Sequence, residues 1–288
     1  MTTQPPTTQP PTTQPPTGPG AESIVLVHGL WMTPLCWEHW IARYEAAGHT
    51  VHAPAWPGAE APIDDIRRDP SALAPLGVKE ITDHYETFIR GLDRPPIIIG
   101  HSFGGLVVQL LLDRGVAAAG VSIDPAPPKG IYLLPPSSLR VASIALRNPA
   151  NRKRTVELSP KQFHYAFGNL LSQADSDAVR DRYAIPGPGR PLFQAALANL
   201  TPQAVTTVDY SSATRAPLLL IAGGKDHISP ASVTKATAKK YHGSGAVTEL
   251  AEFPDRSHYT VGEAGWEEVA DKALSWASAA VTPADPRA

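Results

Sequence analysis

The sequence predicts an α/β fold in which a mostly parallel sheet carries helices on both faces. From Glu22 onward, short apolar runs alternate with segments of helical periodicity, which is typical of strands and crossover helices in such a sheet. The apolar runs are continuous rather than alternating, as expected for strands buried on both faces. With 42% hydrophobic residues in 288, the chain has enough apolar material for one large core or two modest ones.

Six of the apolar runs are predicted to be strands. They are IVLVH (24–28), TVHAP (50–54), PIIIG (96–100), GVSID (120–124), PLLLIAGG (217–224) and AVTELAEF (246–253). Helices are expected near residues 34–47, 77–91, 103–114, 232–242 and 264–280. Gly48 and Gly115 follow two of these helices, at positions where a left-handed backbone is favourable for glycine.

The alternation fails between about Pro125 and Val205, a stretch too long for a plain loop in a compact domain. SPKQFHYAF (159–167) starts with the Ser, Pro and Gln of a capping box. Further helices are predicted from Ser176 to about Tyr183 and in LFQAALANL. We therefore expect residues 127–205 to form a helical cap or lid over the carboxyl edge of the sheet, where open α/β sheets bind ligands. The core would then comprise residues 22–126 and 206–282.

The first 21 residues contain three TTQPP repeats. Such a Thr/Gln/Pro-rich segment cannot bury a core and is predicted to be disordered. It lacks the basic and apolar regions of a signal peptide, and no stretch of the chain has the length of a membrane span. These features predict a cytoplasmic protein.

The charge argues against a polyanionic partner, and the cysteine content argues against disulfide bonds. The formal net charge is −2 and the longest basic run is RKR at 152–154, so no nucleic acid or anionic lipid is expected as a partner. Cys36 is the only cysteine, which excludes an intrachain disulfide and favours a small buried residue in a helix.

GHSFGG (100–105) stands between a β-branched strand and an unbroken apolar helix. A nucleophile on a sharp strand-to-helix turn needs small neighbours two positions away on either side, because strand and helix approach closely there. Gly100 and Gly104 meet this need around Ser102. The bare pattern is weak evidence, but its position makes Ser102 the candidate nucleophile.

A serine nucleophile needs a base, and the base needs an acid to orient it. His258, in AEFPDRSHYTVG, lies between the last predicted strand and the last helix and is the candidate base. Asp226, in IAGGKDHISP, follows a strand and is the favoured acid. Asp124, in VSIDPAPP, also ends a strand and competes with it, although it could simply cap the following turn. His101 is expected to point away along the turn.

The oxyanion of acyl transfer needs two preorganised donors. The backbone N–H of Phe103, at the start of a helix, is one candidate. The turn HGLWMTP (28–34) offers the N–H of Leu30 or of Trp31 as the second, and the Trp31 side chain is expected to face the pocket. Neither a spaced His/Cys metal motif nor a G-x-G-x-x-G after a strand is found in the sequence, so no metal and no cofactor are expected.

VHGLW, GHSFGG, GGKD and RSH together resemble the motifs of the α/β-hydrolase superfamily over residues 22–280. The resemblance implies a mostly parallel sheet of about eight strands, of which six are identified, with a helical cap after the strand ending at Asp124. The chain order Ser102, Asp226, His258 agrees with the family. Asp255 stands where many relatives have glycine, and it could raise the basicity of His258 or only face water. Ser102 lies at the centre of the strand-to-helix turn of residues 100–104, which we call the elbow. Related haloalkane dehalogenases and epoxide hydrolases carry aspartate at this position, so an alkyl-enzyme route is not expected.

The leading hypothesis is a cofactor-free carboxylesterase that acts on small to medium apolar esters through an acyl-enzyme. Trp31 is a candidate for the pocket lining. Phe163, Phe167 and Tyr183 are further candidates, although these three fit the core of the cap equally well. Two alternatives stay open. One is a hydroxynitrile-lyase-like or perhydrolase-like enzyme, because HGLWMTPLCW resembles the hydroxynitrile lyase and plant methylesterase branch. The other is a ligand-binding receptor of the same fold. The oligomeric state is not predicted.

Overall fold

The central feature of the fold is a six-stranded, all-parallel sheet. The computed structural model describes residues 22–281, so the predicted disordered tail and residue 282 lie outside it. The eight strands within these residues are β1 (Ser23–Val27), β2 (Thr50–His52), β3 (Ile97–His101), β4 (Ala119–Ile123), β5 (Thr155–Val156), β6 (Gly187–Pro188), β7 (Leu218–Gly223) and β8 (Thr248–Phe253). The strand order in the main sheet is β2-β1-β3-β4-β7-β8.

Helices cover both faces of this sheet, as predicted. They are α1 (Glu38–Ala46), α2 (Ile63–Arg68), α3 (Val78–Arg90), α4 (Phe103–Asp113), α5 (Pro136–Leu146), α6 (Pro160–Ala166), α7 (Gln173–Tyr183), α8 (Arg190–Ala196), α9 (Ala231–Lys240) and α10 (Trp266–Val281). On one face α1 contacts α10, where Tyr44 Oη donates to the Ala270 carbonyl at 2.8 Å. On the other face α4 packs against β3, β4 and α3. No helix among residues 22–281 is both long and apolar enough to cross a membrane.

The predicted strands are found within one or two residues of their expected ends. The four inner strands β1, β3, β4 and β7 are buried almost throughout, which explains their continuous Ile, Val and Leu runs. The expectation of about eight strands in the main sheet is wrong, because the described chain places only six there. The remaining two, β5 and β6, form a separate antiparallel pair.

The segment between β4 and β7 contains four helices, α5 to α8, and the β5/β6 pair. The predicted capping box is present, since Ser159 Oγ accepts from the Gln162 N–H and the Gln162 side chain accepts from the Ser159 N–H. Two backbone contacts join this segment to the loop after β1: the Ile185 N–H donates to the Trp31 carbonyl at 2.9 Å, and the Thr33 N–H donates to the Tyr183 carbonyl at 3.1 Å. The segment therefore lies over the carboxyl ends of the strands. Its division from the core at residues 127 and 205 stays a prediction.

At the elbow, the backbone of α4 lies very close to the backbones of β1 and β3. A Cβ atom added at Gly104 would overlap the Val27 carbonyl, and one added at Gly100 would overlap the Gly104 carbonyl. Because both obstacles are backbone, a rotamer change of a side chain could not relieve either overlap. The two glycines are thus required by packing.

We expect Gly104→Ala to destabilise the protein by several kcal/mol, about the upper end of the range for overpacking substitutions, or to prevent folding. Chemical denaturation measures this effect. Gly243→Ala is the matched control, because a Cβ at Gly243 meets no atom within 4 Å and should change the free energy of unfolding by less than about 1 kcal/mol. Equal stabilities of the two variants would contradict this account of the elbow.

Candidate active site

Ser102 occupies the sharp turn between β3 and α4, with φ 57° and ψ −120°. Its N–H donates to the Ile123 carbonyl at 2.9 Å, and the residue is only 4% exposed. Within residues 22–281, the non-glycine residues with positive φ are Trp31, Ser102 and Asp124. They follow β1, β3 and β4 respectively, so the strained backbone is concentrated at the carboxyl edge of the sheet. Such strain persists where the surrounding structure enforces it, often at functional sites.

His258 and Asp226 form a buried pair at the same edge. His258 Nδ1 lies 2.6 Å from Asp226 Oδ2, and both side chains are fully buried. Asp226 Oδ1 accepts from the N–H groups of Ile228 at 2.6 Å and Ser229 at 2.9 Å. Because these donors hold one carboxylate oxygen, the other is fixed toward the imidazole.

The pairing sets the state of the His258 ring. A carboxylate can only accept, so Nδ1 carries the proton and Nε2 carries the lone pair in the neutral ring. Nε2 is buried and has no hydrogen-bond partner among residues 22–281. The structure therefore offers an unoccupied proton acceptor whose orientation is fixed by Asp226.

His101 contacts His258, so the expectation that it would point away is wrong. Its Nε2 lies 2.7 Å from the His258 carbonyl oxygen, and the two ring centroids are 4.6 Å apart. The loop after β8 passes across the end of β3 and brings His258 to His101. The position of His101 next to Ser102 in the sequence gives no information about this path. Burial first, and the electrostatic influence of the neighbouring His258 ring second, hold the His101 pKa well below its ordinary value. The ring is therefore neutral and supports the backbone of the His258 loop.

Asp124, the competing acid, lies close to His258 without replacing Asp226. One polar atom each of His101, Asp124 and His258 lies within 4.8 Å of the others. Asp124 Oδ1 accepts from the Gly223 N–H at 2.6 Å, while its Oδ2 is buried without a partner in the described chain. Burial first, and the neighbouring Asp226 carboxylate second, raise the Asp124 pKa well above its ordinary value. Asp124 is thus kept as a neutral carboxylic acid.

The two backbone donors predicted for an oxyanion lie on either side of the elbow. Neither the Leu30 N–H nor the Phe103 N–H donates a hydrogen bond to a residue of the described chain. The β1 loop passes directly beside the nucleophile, since a Cβ added at Gly29 would stand 2.9 Å from the Ser102 Cβ. Both N–H groups are therefore available where β1 and β3 end.

The predicted lining residues are only partly brought together. The Phe167 ring packs edge-on against the His258 ring, with 5.1 Å between the ring centroids. Phe163 stacks on Phe167 with a centroid distance of 4.8 Å, and Trp31 packs edge-on against Phe167 with a centroid distance of 6.4 Å. These three buried rings form an aromatic layer against His258. Tyr183 belongs to another cluster, where its hydroxyl donates to Glu38 at 2.6 Å.

Asp255 is exposed, which fits its alternative interpretation as a carboxylate that faces water. Glu263, which the sequence analysis did not single out, is a buried carboxylate near His258. Glu263 accepts from the Ser257 N–H at 2.9 Å and from the Ser257 hydroxyl at 2.6 Å. It thereby braces the residue immediately before His258.

His28, in the same loop as Leu30, is a structural residue. Its ring stacks on Trp56 at 5.0 Å, and its Nε2 accepts from the Trp56 N–H at 3.2 Å. Burial lowers the pKa of His28 to about 4, so the ring stays neutral and can keep accepting this hydrogen bond. The histidine therefore fixes the start of the loop that carries the Leu30 N–H.

Comparisons with known proteins agree with this architecture. The model of the alpha/beta hydrolase family matches residues 24–272. A search of curated proteins finds no match.

Solved structures of similar fold cover most of this chain and nearly all of their own. An extracellular alpha/beta-hydrolase from a Paenibacillus species has 22% sequence identity and a TM-score of 0.67, over 89% of this chain and 98% of that one. A Paleococcus ferrophilus monoacylglycerol lipase has 21% identity and a TM-score of 0.61, over 91% and 96% respectively. An Arabidopsis methylesterase has 15% identity and a TM-score of 0.60, over 89% and 100%. At these sequence identities the similarity shows a shared fold. One of these proteins is described as extracellular, and the cytoplasmic location of this chain stays a prediction.

The free energy of unfolding of Asp124→Asn, relative to that of the wild type, should increase as the pH rises. The unfolded carboxyl ionises near pH 4, whereas the buried one keeps its proton to a much higher pH. Above pH 4 the native wild type therefore binds more protons than its unfolded state, and its stability falls by up to about 1.4 kcal/mol per pH unit from this group. The asparagine lacks this loss. Urea unfolding of both proteins at pH 5 and pH 7 measures the difference, and a difference that is the same at both pH values would contradict a neutral Asp124.

Proposed function

The chain belongs to the alpha/beta hydrolase family, and from this premise we propose that it is a cofactor-free serine hydrolase. Its activity would be that of a carboxylesterase on small to medium apolar esters, with Ser102 as nucleophile, His258 as base and Asp226 as acid. The observation that carries the proposal is the buried His258–Asp226 hydrogen bond of 2.6 Å, which leaves His258 Nε2 without a partner in the described chain.

In the first half of the reaction, Ser102 Oγ attacks the ester carbonyl carbon while His258 Nε2 removes the hydroxyl proton. The resulting imidazolium is stabilised by Asp226, which is already positioned and needs no reorganisation. The carbonyl oxygen gains the negative charge of the tetrahedral intermediate and accepts the N–H groups of Leu30 and Phe103. His258 then returns the proton to the departing alcohol oxygen, and the acyl-enzyme remains.

In the second half, water replaces the alcohol. His258 Nε2 takes a proton from this water as its oxygen attacks the acyl carbon, and then gives the proton to Ser102 Oγ as the acid leaves. Every proton transfer uses the same nitrogen. The reaction therefore needs neither a metal nor an organic cofactor.

The surroundings of the pair support an apolar ester as the substrate class. The aromatic layer of Trp31, Phe163 and Phe167 borders His258 and offers dispersion contacts but few polar groups. Two of the similar solved structures are a monoacylglycerol lipase and a methylesterase, both ester hydrolases by name. A lyase or receptor function has no comparable support from a contact in the site.

Ser102→Ala should abolish turnover of p-nitrophenyl acetate and p-nitrophenyl octanoate, because the acyl-enzyme cannot form. Stopped-flow measurement on the wild type should show a stoichiometric burst of p-nitrophenol followed by steady turnover, and the variant should show neither. The control is labelling by a fluorophosphonate, which should modify only the wild type. Full ester hydrolysis by Ser102→Ala would refute the proposal.

Asp226→Asn should lower kcat by about 10³- to 10⁴-fold, because an amide does not hold the imidazole in the required tautomer. Asp124→Asn is the matched control. It is isosteric with the neutral acid, keeps the acceptor for the Gly223 N–H, and should retain kcat within about threefold, a change of under 1 kcal/mol in activation free energy. The reverse order of the two losses would reassign the acid to Asp124.

A further inference from the structure

The sequence is nearly neutral as a whole, but its charges are separated. Residues 127–205 carry ten Lys and Arg against four Asp and Glu, whereas the rest of the chain carries fifteen against twenty-three. Net charge alone therefore hides a basic segment on an otherwise acidic protein. The interpretation that the charge excludes an anionic partner has to be revised for this segment.

The basic residues at the start of this segment are free of ion pairs. Seven Lys and Arg lie between residues 129 and 161, and none makes an ion pair with a residue of the described chain. Three of them, Arg140, Arg147 and Lys161, are exposed and line one pocket of about 250 Å³ between α5 and α6. No acidic side chain lines this pocket. The arrangement offers positive charge without a counter-ion among residues 22–281.

Next to these cations lies an exposed group of hydrophobic residues, which we call the apolar patch. It consists of Tyr132 (74% exposed), Leu133 (47%), Leu134 (68%), Leu139 (49%) and Leu200 (81%). These are half of the ten large hydrophobic residues exposed in the described chain. Isolated exposed leucines are ordinary, but four exposed hydrophobic residues within residues 132–139 form a local concentration that indicates an interaction surface.

The patch is held together by the side chain of Asn199. Asn199 Oδ1 accepts from the Gly130 N–H at 2.7 Å, and Asn199 Nδ2 donates to the Ile131 carbonyl at 2.7 Å. These bonds join the loop before α5 to the turn that ends at Leu200. The exposed leucine of the turn therefore stands beside the exposed side chains of the loop.

Helix α5 links the patch to the cations. Its inner side buries Val141 and Ala145, whereas Leu139, Arg140 and Arg147 are exposed. At 100° per residue these three side chains fall on the outward half of the helix. The outward half of α5 therefore presents a leucine beside two arginines and no acidic residue, so it offers both an apolar and a cationic contact to a bilayer with anionic headgroups.

We propose that this face of residues 127–205 is a docking surface for an anionic lipid bilayer. The apolar patch would enter the acyl boundary, while Arg140, Arg147 and Lys161 contact lipid phosphates. Both halves of the surface are needed, because a short apolar insertion or a few exposed cations alone would give only weak, reversible binding. An acidic protein partner would match the cations but would leave Tyr132, Leu134 and Leu200 without an apolar environment.

Co-sedimentation with vesicles tests the docking surface and does not depend on the proposed esterase activity. The wild type should bind vesicles of phosphatidylcholine mixed with phosphatidylglycerol and bind vesicles of phosphatidylcholine at least tenfold less. The double variant Arg140→Gln/Arg147→Gln should lose binding by about fivefold per charge, equivalent to about 1 kcal/mol each. Leu133→Glu/Leu134→Glu should lose binding by tenfold or more. High salt should weaken the wild-type interaction.

Two matched controls lie elsewhere on the surface. Lys239→Gln/Lys240→Gln removes two exposed charges at the end of α9, and Val247→Glu/Leu250→Glu places two carboxylates on exposed hydrophobic positions at β8. Both controls should bind as the wild type does, and circular dichroism with thermal unfolding should show that all variants are folded. Equal binding by the patch variants and the controls would overturn the proposal. So would a dimer that Leu133→Glu/Leu134→Glu disrupts in the absence of vesicle binding, because a second copy would then occupy the patch.

Discussion

The close approach of α4 to β1 and β3 is the constraint from which the geometry of the candidate active site follows. With carbonyl groups where the Cβ atoms of Gly100 and Gly104 would stand, the chain turns within one residue and Ser102 takes a positive φ. The same turn exposes the first N–H of α4 beside the serine, because the initial N–H groups of a helix have no partner within it. One packing contact thus creates the position of the nucleophile and one of the two donors.

The all-parallel sheet brings the remaining groups to the same place. Because every strand of the main sheet runs in one direction, the loops after β1, β3, β4, β7 and β8 all emerge at one edge. The serine, both acids and the histidine come from four of these loops, and the second donor comes from the fifth. Aromatic residues of the segment between β4 and β7 then cover His258, which lowers the local dielectric and strengthens the hydrogen bond to Asp226.

The inner strands and the elbow could be predicted from the sequence because each has a local signal. Continuous β-branched runs indicate buried strands. The glycines around Ser102 are required by a close backbone contact, and they stand within two residues of the serine in the sequence. Helix α5 gives no such signal, since it begins at a pair of prolines and buries little besides Val141 and Ala145. The contacts of His101 and of Glu263 depend on how the loop after β8 folds back. Spacing in the sequence does not encode that path.

The two acids show why a residue type at a strand end does not define a role. Asp124 and Asp226 both follow buried strands, and both lie near His258. Asp226 receives two backbone donors on one oxygen and the imidazole on the other. Within residues 22–281, Asp124 receives a single donor, and its other oxygen is buried without a partner. Two carboxylates so close to each other and so deeply buried disfavour double ionisation. Of the two acids, Asp124 is the one whose pKa burial and its neighbour raise. Asp226, whose carboxylate is held by two backbone N–H groups, is the one that orients the proposed base.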